Sequence, residues 1–234
     1  MNQTLSSRVF LLLACLFLLG GRVQAGEIEV YNHSFEANDA NLPLNNSGVP
    51  AIIDWKKNLP MAGVQDAAFL ATVPGAPAAW SDGNYGLVFI GGFGGSMSQE
   101  TSTMIAADTT YIIQVDIAGV TNWQGFKVGA ALGNISMETG AQATTKDGKV
   151  ARSLNYDFTN GGTDLLPESF STELSNTKAT EGDWSTLTIT FKTAATVTGT
   201  RPLTIRLQMG NYAPGNKDNG GYLLYDNVRV TSTP

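Results

Sequence analysis

The sequence predicts an all-β protein, an antiparallel β-sandwich of jelly-roll type. Runs of period-two alternation recur at 110–118, 186–192 and 203–209. Glycine is abundant, with 26 residues, and Gly, Asn and Asp-Gly steps fall between the runs, where turns are needed. No segments of 3.6-residue periodicity alternate with the strands, which disfavours Rossmann and barrel enzyme folds.

The chain opens with an export signal. Arg8 gives a positive start, Val9 to Leu19 is apolar, and Val23-Gln24-Ala25 presents small residues before Gly26. Cleavage is expected after Ala25, since the apolar run is too short to span a bilayer comfortably. Leu12-Leu13-Ala14-Cys15 is not read as a lipoprotein box, because only six apolar residues separate Arg8 from Cys15. The product is expected to be secreted or periplasmic, with no membrane anchor.

Residues 26–234 then form one domain. Glu27 to Tyr31 reads as an opening strand, and 37–50 as loop by composition. After a Pro/Ala/Gly-rich stretch ending at Trp80, Asp82-Gly83 turns into a strand at Gly86 to Gly91. Met97 to Met104 is the next strand. In Thr110 to Ala118, Tyr111, Ile113, Val115 and Ile117 share one face. Phe126 to Leu132 follows. Residues 134–182 hold few apolar anchors, and are expected to contain short strands within a long excursion, since a plain loop of that length would be abnormal. Strands over 186–192, 203–209 and 222–230 close the chain.

Composition removes several functions. One His excludes a multi-histidine zinc site, and the only Cys lies in the leader. Cleavage removes Arg8 and Arg22 but no acid, leaving 12 basic against 20 acidic residues and a net charge of −8. Such a field repels phosphate backbones, so no nucleic-acid partner is expected. The acidic residues of 134–182 read as a solvated loop, because nothing fixes two of them at a glycosidase separation.

Strict alternation along the last strand sets Leu224, Asp226, Val228 and Val230 on one apolar face. A carboxylate buried there is costly unless hydrogen-bonded or metal-bound. Calcium suits a secreted protein, being a hard ion that takes six to eight oxygens. Glu36 is the second carboxylate expected beside Asp226, because first and last strands are commonly neighbours in jelly rolls. Asn32 and Ser34 offer further oxygens. The alternative is that backbone N–H groups near the sheet edge satisfy Asp226.

Asn32-His33-Ser34-Phe35-Glu36, Gly83-Asn84-Tyr85-Gly86, Thr109 to Ile117, and Tyr225-Asp226-Asn227-Val228-Arg229-Val230 resemble a secreted bacterial jelly-roll group. The chain is similar to carbohydrate-binding-module domains and especially to the Stig cyclases of cyanobacterial indole alkaloid pathways. That resemblance implies structural calcium where the first and last strands meet. It also implies, for the cyclases, an acid on the last strand pointing into an aromatic pocket. The position two residues before Asp226 holds Leu224 here, which departs from that pattern.

Trp55, Trp80 and Trp123 fall in loops or at strand ends, where a sandwich grows its binding rim, whereas Trp184 opens a patterned strand and reads as core. With Tyr156 they are the candidate ligand-binding residues, since planar aromatics stack on a sugar face or an indole. The expected partner is a glycan or an aromatic small molecule. The sequence therefore points to a calcium-stabilised binding module for a saccharide or other ring-bearing ligand. The alternatives are a cyclase of prenylated indoles and a non-catalytic envelope or matrix protein.

Overall fold

The computed structural model describes residues 25–38, 40–42, 51–58, 62–73, 75–90, 96–120, 126–132, 139–140, 159–160, 163–164, 169–175, 183–197, 201–209 and 222–234. The leader, Trp123 and Tyr156 lie outside the described residues.

Two antiparallel sheets enclose one core. The larger contains β1 (Gly26–Ile28), β3 (Ala62–Asp66), β4 (Tyr85–Ile90), β6 (Thr110–Val120), β11 (Ser169–Leu174), β12 (Ser185–Lys192) and β14 (Tyr222–Thr233). Its order is β11-β12-β6-β14-β4-β3, with β1 added to the far end of β14. The smaller has the order β2-β5-β13-β7-β8, from β2 (Lys56–Asn58), β5 (Ser96–Met104), β7 (Phe126–Leu132), β8 (Thr139–Gly140) and β13 (Pro202–Met209). A short pair, β9 (Thr159–Asn160) and β10 (Thr163–Asp164), falls with β8 and β11 inside the stretch 134–182. First and last strands are neighbours, with Gly26 opposite Ser232.

Alternation builds the core. Ile113, Val115 and Ile117 of β6 and Leu187, Ile189 and Phe191 of β12 meet Leu203, Ile205 and Leu207 of β13 in one buried cluster. Tyr111 belongs to that layer, stacked on Phe191 at 5.3 Å, with its hydroxyl accepting the N–H of Ala106. The strictness of these rows is what made the strands readable, because a one-residue slip turns the apolar set outward.

β14 breaks the pattern. Asp226 pairs with Asp116 and Arg229 with Gln114, so Asn227 and Val228 together stand opposite Val115. Asn227 takes φ 50°, the left-handed region that Asn tolerates better than most residues. This bulge corrects the expected face. Val228 and Val230 join the sandwich core with Tyr225, whereas Leu224 clusters with Val88 and Ala118 on the outer face. Asp226, two residues from Leu224, shares that outer face.

Among the described residues the sequence does not predict the α-helix that follows β3. α1 (Ala67–Thr72) is capped by Asp66, whose side chain accepts from the N–H of Phe69 at 3.1 Å. Ala67, Ala68, Leu70 and Ala71 favour helix, but six residues are too few to show a period. The helix and the residues after it cover the outer face of the larger sheet.

Candidate functional site

Two features meet on that face. The first is an apolar cluster formed by Leu70, Val73, Trp80, Val88, Ala118 and Leu224, with half-buried Phe69, Trp184 and Tyr222 at its margin. Trp80 lies flat on Gly86, where a Cβ would sit 2.1 Å from its ring, so only glycine permits the approach. Trp80 and Trp184 are 5.8 Å apart, and Phe69 meets Tyr222 edge-on at 5.3 Å. Trp184 donates its indole N–H to the carbonyl of Ala79 at 2.8 Å. The indole N–H of Trp80, by contrast, is buried with no partner among the described residues. An unmet donor inside an aromatic patch favours a ligand that brings an acceptor.

The second feature is a polar corner directly beyond it. Asn32 at φ 47° and Phe35 at φ 63° fold residues 31–38 into a tight turn. The side chain of Asn32 holds this turn, accepting from the N–H of Ala37 at 2.9 Å and donating to Asn38 and the carbonyl of Ile53. Glu36 is thereby aimed at the loop 81–85. Its Oε1 accepts the N–H groups of Asn84 at 2.7 Å and Tyr85 at 2.6 Å. Gly83, at φ 79°, passes so close that a Cβ would stand 2.5 Å from the Glu36 carboxyl carbon. Asp226 grips the start of the same loop, accepting from the Ser81 hydroxyl at 3.0 Å and the Asp82 N–H at 2.8 Å. The N–H of Asn227 completes its set at 2.8 Å. His33 approaches Asp82 at 3.8 Å, and its carbonyl receives the N–H of Val228 at 3.0 Å.

Asp226 is fully buried. Burial pushes its carboxyl up to about 8, with the neighbouring Asp82 charge adding to the rise and the three hydrogen bonds opposing it. Beside it the Asp116 side chain accepts from the Thr186 hydroxyl at 2.6 Å, the Asn227 amide at 3.1 Å and the Arg229 guanidinium at 3.1 Å. A groove of about 740 Å³, lined by residues 27–33 and 227–230, lies next in the chain to the corner, with His33 and Asn227 in its lining.

A sequence model described as HpiC1 cyclase matches residues 26–231. The chain belongs to the HpiC1-like family. No curated protein sequence matches it. Among solved structures, a family 16 carbohydrate-binding module is similar over 66% of this chain and 82% of its own, at 14% identity and a TM-score of 0.37. The cleaved K1 adhesin domain of the Lys-gingipain of Porphyromonas gingivalis W83 is similar over 88% of this chain and 97% of its own, at 12% identity and a TM-score of 0.37.

In this HpiC1-like chain the expected site residues are distributed unevenly. Glu36 and Asp226 do meet the same loop, and Asn32 shapes the turn that presents Glu36, while Ser34 is buried within that turn. Trp55 is no rim residue. It is 3% exposed, packs on Phe35 at 5.5 Å and donates its N–H to the carbonyl of Asn32. Trp80 is likewise buried, at 5% exposure, so it lies at the floor of the aromatic patch rather than on a flat platform. Phe69 and Tyr222 were missed as members of the patch. Their signal was weak, because one sits on an unrecognised helix and the other begins a strand whose pattern reads as core.

Proposed function

We propose that the mature chain is an exported ligand-binding member of the HpiC1-like family, stabilised by calcium, that takes a ring-bearing apolar molecule on the aromatic patch. The observation that carries the reading is the buried indole N–H of Trp80, unpartnered among the described residues, within a cluster of Trp184, Phe69 and Tyr222. Aromatic rings at such a margin supply stacking surface, and the orphan donor supplies orientation. Leu224 occupies the place where the cyclase resemblance implies an acid, and it is wholly buried among apolar neighbours. Binding without proton transfer from that position therefore fits the geometry best.

The corner supports calcium by its chemistry. Its donors are hard oxygens from Glu36 and Asp226, with the Ser81 hydroxyl beside Asp226. Among the described residues no three His, Cys, Asp or Glu gather as a metal cluster, so carbonyls and water would complete the shell. A cation there would relieve the desolvated charge of Asp226 and draw the turn 31–38, the loop 81–85 and β14 together.

Membership of the HpiC1-like family favours a second reading, cyclisation of a prenylated indole. One experiment separates the two. Purified residues 26–234 are titrated with indole and prenylated indoles, following tryptophan fluorescence for binding and mass spectrometry for conversion. Saturable quenching that is lost in Trp184→Ala, without conversion, supports the binding reading. A cyclised product replaces it with the enzyme, and no quenching by any of these probes rejects the patch as a ligand site.

A further inference from the structure

The groove that opens beside the corner carries its own set of positioned groups, none of them part of the aromatic patch. Tyr31 lines it and is one of the few large apolar side chains left exposed among the described residues, at 44%. It is nevertheless fixed. The amide of Gln99 clasps its backbone on both sides, accepting from the Tyr31 N–H at 2.9 Å and donating to the Tyr31 carbonyl at 2.8 Å. A further bond from Gln99 to the carbonyl of Asp54 at 3.0 Å anchors that clasp. The Glu29 carboxylate, whose negative charge raises the phenol of Tyr31, also lines the groove. An exposed ring on a backbone clasped in this way is held in place in the groove before any ligand arrives, which lowers the cost of stacking on it.

The opposite wall is equally prepared. Arg229 and Asn227 both lean on the buried carboxylate of Asp116, each at 3.1 Å. Arg229 has five N–H donors and gives one of them to Oδ1 of Asp116. His33 stands exposed at the rim. The walls thus carry both signs, Glu27 and Glu29 against Arg229, and they offer acceptors as well as donors. An anion entering would meet the two glutamates, and a cation would meet the guanidinium. Groups that both donate and accept, such as hydroxyls, match this mixture, and a ring with one apolar face matches Tyr31. A groove of about 740 Å³ is of the size that holds small ligands of a few rings.

We infer that this groove is a saccharide subsite, with Tyr31 as the stacking platform and Glu29, Asn227 and Arg229 as the hydroxyl-binding groups. It is separate from the aromatic patch, so a protein of this design holds an apolar ring at one place and a neutral sugar at another.

The test uses calorimetric titration of the mature chain with neutral trisaccharides of glucose, xylose, mannose and galactose. At least one of them is expected to bind with a Kd in the micromolar to millimolar range. Tyr31→Phe, which keeps the ring, should bind within about threefold of the wild type, while Tyr31→Ala should weaken binding at least about tenfold. Because Tyr31 is exposed, neither change should move the melting temperature. Trp184→Ala, which lies on the aromatic patch, should leave sugar binding intact, so failure of the patch and failure of the groove are told apart. No binding of any trisaccharide at about 10 mM overturns the subsite. So does wild-type affinity in Tyr31→Ala, and so does a groove that takes indole in preference to every sugar.

Discussion

Leu224 and Asp226 are two residues apart on one face of one strand, yet one belongs to an apolar patch and the other to a polar corner. What differs is the cover. A single continuous segment lies over both, from α1 through the loop before β4. Its first part brings Leu70, Val73 and Trp80 down on Leu224, and its second brings Ser81 and the N–H of Asp82 down on Asp226. The sheet face does not decide its own chemistry here. The overlying segment does, switching from side-chain packing to backbone hydrogen bonding between Trp80 and Ser81.

The comparison can be broken most forcefully at Asp226. Its carboxyl is raised from 3.8 in its ordinary state to about 8 in the fold. The native protein thus binds this proton more tightly than the unfolded chain. The stability it contributes is fully present below about pH 4 and is lost as pH rises through about 8, with a ceiling on the order of 5 kcal/mol. In chelator, urea midpoints should fall across that window, and Asp226→Asn should remove most of the fall. With millimolar calcium the wild type should recover stability at the alkaline end, because the ion compensates the carboxylate that the proton has left. Identical curves with calcium and with chelator at pH 8 would reject the ion.

This corner also shows how far the sequence could be read. The strands of the core were legible because β6, β12 and β13 keep strict alternation, which has no meaning except a half-buried strand. Glu36 and Asp226 are expected near each other because first and last strands are neighbours in this fold class, and both carboxylates hold the loop 81–85. The face of Asp226 was not legible. It depends on the left-handed Asn227, and no alternation rule predicts where a strand will admit an extra residue. Asp226 is buried all the same, but under the loop 81–85 instead of within the sandwich. The tryptophans were misplaced for a related reason. Position in a loop says nothing of burial when that loop folds back onto a sheet, as Trp80 does onto Gly86.

On the apolar side the largest effect is expected from Trp80→Ala. Removing a side chain that is 95% buried on the sheet should cost about 3–5 kcal/mol. The melting transition should drop, while the calcium-dependent part of the stability should persist, since Asp226 and Glu36 keep their loop contacts. Loss of both together would show that patch and corner form one cooperative unit.

Gly83→Ala probes the polar half alone. Its φ of 79° disfavours any Cβ, and the added atom would displace the Glu36 carboxyl from the N–H groups of Asn84 and Tyr85. A loss of about 2 kcal/mol is expected, with a weaker calcium response and an unchanged tryptophan emission spectrum. A shift in that emission would mean that the loop positions Trp80 as well.

The smallest effect isolates the cover itself. Asp66 caps α1 through the N–H of Phe69, and Asn41 reaches its other oxygen at 3.1 Å. Asp66→Ala should cost about 1 kcal/mol, the usual worth of an N-cap. Hydrogen exchange should accelerate in residues 67–72, at the end of the cover that lies over Leu224, and remain slow at Asp82, Asn84 and Tyr85, whose N–H groups are held by the two carboxylates. That asymmetry is the direct signature of a segment fastened at its two ends by different forces. The apolar end is held only as firmly as the short helix that presents Phe69 and Leu70, whereas the polar end is clamped by Glu36 and Asp226 whether or not the helix is formed. Equal acceleration at both ends would instead place the whole cover, and not its apolar half, under the control of one capping carboxylate.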